Sequence, residues 1–198
     1  MPTAKRACAA SLLVAASLLS FRVAAVDLRP PSSFDAIADR AERSRSIFAE
    51  AGKVIQSPRC LNCHPVGDRP TQGRDMHPHN PPVFRGADDR GAVGMRCTTC
   101  HQSANFDASG VPGNPSWHLA PALMAWQHET LGEICAQIKD SRRNGGRTLA
   151  QIQEHMAHDV LVGWGWHPGG MREPAPGTQE SFGELIAAWI ATGAECPV

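Results

Sequence analysis

Cys60-Leu61-Asn62-Cys63-His64 and Cys97-Thr98-Thr99-Cys100-His101 are the two stretches on which the reading of this chain turns. Both have the frame C-x-x-C-H, the attachment pattern of c-type haem. The spacing has a chemical reason. Two thiols add to the two vinyl groups on one porphyrin edge, and the adjacent imidazole reaches the iron from the same side. A shuffled chain of this composition would contain such a pentad about 0.01 times, so two are a strong signal. Other uses of the four thiols are an all-cysteine zinc site, a thioredoxin-like redox pair, and structural half-cystines. None of these needs a His after each pair. The interval between the pairs is also long for a zinc module, and neither flank reads as the strand–CxxC–helix setting of a redox site.

Working outward, the 198 residues hold 19 Lys plus Arg, 19 Asp plus Glu, 18 Gly and 16 Pro. A balanced charge gives no basic footprint, and no nucleic-acid partner is expected. The composition is neither disordered nor that of a membrane protein. Gly and Pro together are about one residue in six, which marks a loop-rich chain needing help beyond its apolar side chains. The N-terminus supplies a compartment. Lys5 and Arg6 precede an apolar run, Cys8 to Ser20, of about 13 residues, and Val23-Ala24-Ala25 ends in small residues. Residues 1–25 therefore read as a signal peptide cut after Ala25, with export to the periplasm and no retained membrane span. Its loss removes Lys5, Arg6, Arg22 and Cys8. Residues 26–198 then form a single domain with three more acids than bases, which favours a partner with a basic docking face.

Cys135 and Cys196 fall outside the two motifs. Two unpaired thiols are unusual in an exported protein, so a disulfide between them is expected. Helices are predicted in four places. The first is capped by Ser32 or Ser33 and runs to about Gln56. Capping boxes at Thr130 and Thr148 open helices to about Lys139 and His158, and Ser181 opens one through about Ala191. The stretches from Pro65 to Gly94 and Trp164 to Gly177 read as irregular loops.

Each iron would need a sixth ligand or an open site, and that choice separates a carrier from a catalyst. His77, His79, His118, His128, His155, His158 and His167 are available, with Met76, Met95, Met124, Met156 and Met171. Prolines flank His77 and His79 and stiffen their backbone. His155 adjoins the apolar row Leu149, Ile152 and Met156. Bis-His ligation is expected, with His79 and His155 the leading distal ligands and His118 next. Trp117, Trp126, Trp164, Trp166 and Trp189 suit porphyrin faces or an ordinary core. Arg69, Arg74, Arg85 and Arg90 suit haem propionates or a solvated face.

With these residues in view, the chain resembles the small bacterial dihaem cytochromes c. It is similar, more closely, to the exported isoquinoline 1-oxidoreductase-associated cytochrome subunits. The similar stretches are 59–65, 79–88, 95–101, Trp117-His118-Leu119-Ala120-Pro121, Val162-Gly163-Trp164-Gly165-Trp166 and Gly193-Ala194-Glu195-Cys196-Pro197. The resemblance implies a mainly α fold: a small helical c-type cytochrome with long Pro/Gly-rich loops wrapped around two covalent haems. Cys60, Cys63, Cys97 and Cys100 would be the attachment residues, with His64 and His101 the proximal ligands. It further implies electron transfer to or from a partner oxidoreductase such as a molybdenum hydroxylase. The chain has no molybdopterin or iron–sulfur motif of its own, so substrate chemistry would belong to that partner. Two other functions compete. One is a small dihaem enzyme with an open, peroxidase-like site. The other is a zinc-bearing structural or interaction protein without haem.

Overall fold

Asp39 starts the first long helix of the computed structural model, which describes residues 27–198. The signal-peptide reading falls on residues outside that range. Asp39 Oδ1 accepts the Glu42 amide at 2.7 Å and opens α1, Arg40–Ile55. The helix expected from Ser32 or Ser33 is thus two pieces. Pro30 and Pro31 set up only a 3-10 turn, Pro31–Phe34, and the chain re-enters helix where an Asx side chain can satisfy the first free amides. Phe34 still reaches the core at 2% exposure, so the apolar spacing marks burial here without marking helix.

The helical half closes around α1. α2, Pro58–Leu61, is one turn and carries Cys60. α3, Leu131–Lys139, and α4, Leu149–His158, have the capping boxes legible at Thr130 and Thr148. α5, Val160–Gly163, follows at once and runs into a 3-10 turn, Trp164–Trp166, so the segment expected as loop begins with a turn of helix. α6, Gln179–Ala191, begins earlier than its predicted opener. Thr178 is the cap, and Ser181 sits three residues in, where its side chain returns the hydrogen bond. α6 packs against α1 and α4, and Gly183 lets the Ala157 methyl of α4 come up against the α6 backbone. Phe48, Ile55, Ile138, Leu185, Ile186 and Trp189 are fully buried there. Cys135 and Cys196 are bonded, tying α3 to the C-terminal tail across 61 residues. Closing a loop of that length stabilises on the order of 4 kcal/mol through the unfolded chain.

The rest is loop. The pairs β1, Thr71–Gln72, with β2, His77–Pro78, and β3, Gly91–Ala92, with β4, Met95–Arg96, are two-residue antiparallel ladders. The described residues are therefore mainly helical, with little strand. Arg85 holds the first loop down. It is 5% exposed, and its Nη1 donates to Asp89 Oδ1 at 2.7 Å and to the Ala120 carbonyl. Its amide donates to Asp68 O at 2.7 Å, and Leu119 N donates to Asp89 O at 2.9 Å. This guanidinium serves the loop, not a solvated face. Arg69 donates to the His79 carbonyl at 2.7 Å and Arg74 pairs with Glu173 at 2.6 Å, while Arg90 lies at the surface.

Candidate functional site

The first pentad is held from both sides. Cys63 and His64 amides donate to Cys60 O and Leu61 O at 3.0 and 3.1 Å, continuing the α2 turn through the motif. The segment 120–127 wraps the other side: Ala120 N donates to Cys63 O at 3.0 Å and Trp126 N to His64 O at 3.0 Å. His64 Nδ1 lies 2.7 Å from the Met124 carbonyl. A carbonyl only accepts, so Nδ1 carries the proton and Nε2 keeps its lone pair. The ring stacks on Trp126 at 3.6 Å and 9°, and Trp126 Nε1 donates to Gln137 Oε1 of α3 at 2.7 Å. Burial pushes the His64 pKa down to about 4, which keeps the imidazole neutral. Burial also pushes the Cys60 and Cys63 thiols up, to about 12 and about 11. Nucleophilic cysteines need the opposite shift. These surroundings favour a neutral sulfur.

The second pentad repeats the scheme with fewer walls. A 3-10 turn, Cys97–Thr99, carries the motif, and His101 N donates to Cys97 O at 2.9 Å. His101 Nδ1 lies 2.8 Å from the Pro112 carbonyl, again leaving Nε2 free. Its ring stacks on Trp117 at 4.4 Å and 8°. Burial lowers the His101 pKa and raises that of Cys97, while Cys100 is exposed.

Each pentad opens into its own cleft. The first encloses about 1070 Å³ including its mouth and is lined by Cys60, Cys63, His64, His155, Met156 and Arg147, among others. The second encloses about 1520 Å³ and is lined by Cys97, Cys100, His101, His79, Met95 and Arg172, among others. The structure therefore brings His155 into the cleft of His64, and His79 into that of His101, where the rings are 5.9 Å apart. Two imidazoles sharing one metal ion have N–metal bonds of about 2 Å each, so a separation of this order leaves room for one. His118 lines both clefts. His77, although flanked by the same prolines, is exposed beside Asp75, and His128, His158 and His167 are also exposed.

The three further imidazoles that line the clefts each meet an oxygen at Nδ1, a backbone carbonyl for His79 and His118 and a carboxylate for His155. His79 Nδ1 lies 2.9 Å from Pro81 O, His118 Nδ1 meets Ser116 O, and His155 Nδ1 lies 3.3 Å from Asp159 Oδ2. Burial lowers the His155 pKa, as it lowers those of His64 and His101. Five imidazoles thus present a free Nε2 while Nδ1 is held, the arrangement by which outer contacts orient metal-ligating histidines. The four motif thiols do not converge on one point. Among the described residues no three His, Cys, Asp or Glu side chains group to chelate a single ion, and none of the four thiols is in a disulfide.

Sequence reasoning missed two features. One is the indole stacked on each motif His: the sequence leaves every Trp open between a porphyrin face and an ordinary core, and only the fold shows which Trp meets which ring. The other is Arg59. It is half-buried, lines both clefts, and lies over Trp164 at 5.9 Å. Burial, and then the nearby Arg172 charge, lowers its pKa, and the nearby acid, Glu173, is engaged by Arg74. Its position directly before Cys60 was the available signal. No family model, curated protein or solved structure matches the chain.

Proposed function

We propose that this protein is a periplasmic electron-transfer protein that carries two c-type haems, one on each pentad. The observation that carries the reading is the pairing inside each cleft. A motif imidazole with a carbonyl-bound Nδ1 shares its cleft with a second imidazole whose Nδ1 also faces an oxygen, the Pro81 carbonyl for His79 and the Asp159 carboxylate for His155. Such a donor set fits a low-spin iron porphyrin, and the neutral sulfurs of Cys60 and Cys63 fit thioethers. Bound there, each haem would supply a one-electron iron couple.

The chain's own residues do the rest. Cys60 and Cys63, and Cys97 and Cys100, would hold the two haems covalently. Met124 O and Pro112 O hold the proximal rings and keep them basic at Nε2. His155 and His79 would supply the further iron ligands, with His118 lining both clefts. Arg59, Arg147 and Arg172 place positive charge in the cleft walls, suited to the propionates. The resemblance of 59–65, 95–101 and 162–166 to the oxidoreductase-associated cytochromes favours a redox partner such as a molybdenum hydroxylase. Export with cleavage after Ala25 provides the compartment in which c-type haems are attached.

A haem-stained denaturing gel of the periplasmic fraction tests the proposal, because covalent haem survives denaturation. Stain at the mass of residues 26–198, with two haems per chain and low-spin ferric spectra, is expected. An unstained band overturns it. A stained band with one high-spin centre that binds cyanide rapidly and turns over peroxide replaces the carrier by the enzyme.

A further inference from the structure

His79 reaches the second cleft from a hairpin that packing does not hold. β1 and β2 pair over two residues each, Thr71 with Pro78 and Gln72 with His77, and no residue from 71 to 80 is buried. A hairpin of this size does not keep its place alone. Within it His79 is fixed. Its amide donates to Pro70 O at 2.9 Å, its carbonyl accepts from Arg69 at 2.7 Å, and its Nδ1 faces Pro81 O. The hairpin as a whole must be tied to the body of the chain by polar contacts. The pair of Arg74 with Glu173 is exposed on both sides, and such pairs add little and fade with salt.

A chain of side-chain hydrogen bonds supplies the tie. Thr71 Oγ1 donates to Asn62 Oδ1 at 2.8 Å and accepts from Gln127 Nε2 at 2.8 Å. Asn62 Nδ2 donates to Gly73 O at 2.9 Å, and Gln127 Oε1 accepts from Val66 N at 3.2 Å. The two ends are backbone groups, one able only to donate and the other only to accept, so the direction of every bond between them is set. Asn62 lies inside the first pentad and grips the hairpin at Thr71 and at Gly73. Gln127 follows Trp126, whose amide donates to His64 O. The hairpin that bears His79 is thus fastened to both segments that enclose His64. At position 62 the pentad needs a side chain that donates and accepts at once, as an amide does.

We infer that Thr71, through Asn62 and Gln127, is the positioning residue that sets His79 in the second cleft. Thr71 acts through its strand: its neighbour Pro70 holds the His79 amide, and its cross-strand partner is Pro78. Asn62 thereby does more than space two thiols. The inference rests on the haem reading only for what His79 is positioned to do.

Hydrogen exchange at the His79 amide tests the tie in the purified full chain, whatever its haem content. Thr71→Val keeps the shape of the side chain and removes both of its hydrogen bonds. It is expected to speed exchange at His79 about tenfold and to leave the amides of α1 and α6 unchanged. Thr71→Ser keeps the hydroxyl and is expected to restore protection. Unchanged protection at His79 in Thr71→Val overturns the inference. If Thr71→Val loosens α1 and α6 as well, Gln127→Met decides. It leaves the bond to Asn62 in place and is expected to speed exchange at His79 about threefold. Haem-loaded protein gives the second readout. At unchanged haem content, Thr71→Val is expected to weaken the low-spin spectrum that His79→Ala abolishes and to speed cyanide binding there about tenfold, with Thr71→Ser returning both. Faster exchange at His79 with that spectrum and that rate unchanged overturns the positioning role. So does a His79→Ala chain that keeps both low-spin spectra, which leaves the haems themselves in place. Unstained protein removes the haem reading and leaves the tie to be decided by exchange.

Discussion

The pentads at 60–64 and 97–101 share every Cys and His position, and the fold treats them differently. The first grows out of the helical half. Its Cys60 sits on α2 directly after α1, its His64 lies on Trp126, and Trp126 is 4% exposed and bonded to α3. The second sits among loops, with Cys100 exposed, Trp117 only partly buried and Val93 and Met95 exposed beside it. A five-residue motif sets which atoms do the chemistry. The elements packed around it set how dry and how rigid its surroundings are. Under the proposed function the second site is the docking end and the first is the protected one.

The contrast can be broken at the two indoles. Trp126→Ala removes a buried ring from the core and is expected to cost about 3–5 kcal/mol. Trp117→Ala removes a half-exposed ring and is expected to cost about 1–2 kcal/mol. Urea unfolding of both variants reads the difference directly. Equal losses would mean that the loop-borne site is as deeply built into the fold as the helical one.

Protonation gives the next largest effect, measured on haem-free chain. His64 takes its proton near pH 4 in the folded chain and near pH 6.5 in the unfolded one. As the pH falls between those values, the unfolded state binds a proton that the folded state refuses, so stability declines. The decline from this group is about 3 kcal/mol when complete, with no further change below pH 4. His64→Gln should remove that part of the slope in denaturant midpoints between pH 7 and 4. His101, also lowered by burial, contributes in the same direction, and the comparison predicts a smaller share for it.

How much of this is legible in the sequence follows from range. The pentads and the capping boxes at Thr130 and Thr148 are local patterns, and they survive intact because each is satisfied within a few residues. The start of α1 is harder to read, because the apolar spacing of Phe34 and Ile37 continues across a turn that two prolines and Asp39 impose. His155 is readable as a cleft residue from its neighbours Ile152 and Met156 on one helix face. The stack of His64 on Trp126 and the Arg59–Trp164–Trp117 wall join segments far apart in sequence, which periodicity does not encode. Arg85 looks in sequence like the other arginines between the motifs. Its role depends on the Ala120 carbonyl, 35 residues away.

Thiol reactivity in haem-free chain sharpens the same comparison with a smaller effect. Alkylation requires thiolate, and burial holds Cys60 and Cys63 far above neutral pH while Cys100 faces solvent. At pH 8 the second pair should label at least tenfold faster than the first, and peptide mapping by mass spectrometry assigns each site. Labelling of all four at one rate would mean that the first cleft is open to solvent.

The smallest expected effect lies at Asp159, which serves two elements at once. Its Oδ1 caps α5 by accepting from Leu161 N and Val162 N at 2.7 and 3.1 Å, while Oδ2 orients His155. Asp159→Ala is expected to cost about 1 kcal/mol for the lost cap. It also frees the His155 ring, which lines only the first cleft. In haem-loaded protein the variant should therefore disturb the low-spin spectrum of the first centre and leave the second unchanged. Asp159→Asn separates the two roles: an amide oxygen still caps the helix, but without charge it holds the imidazole less firmly. Recovery of stability without recovery of the first spectrum would assign the carboxylate to the ligand and not to the helix, and a spectrum restored along with stability would assign it to the helix alone.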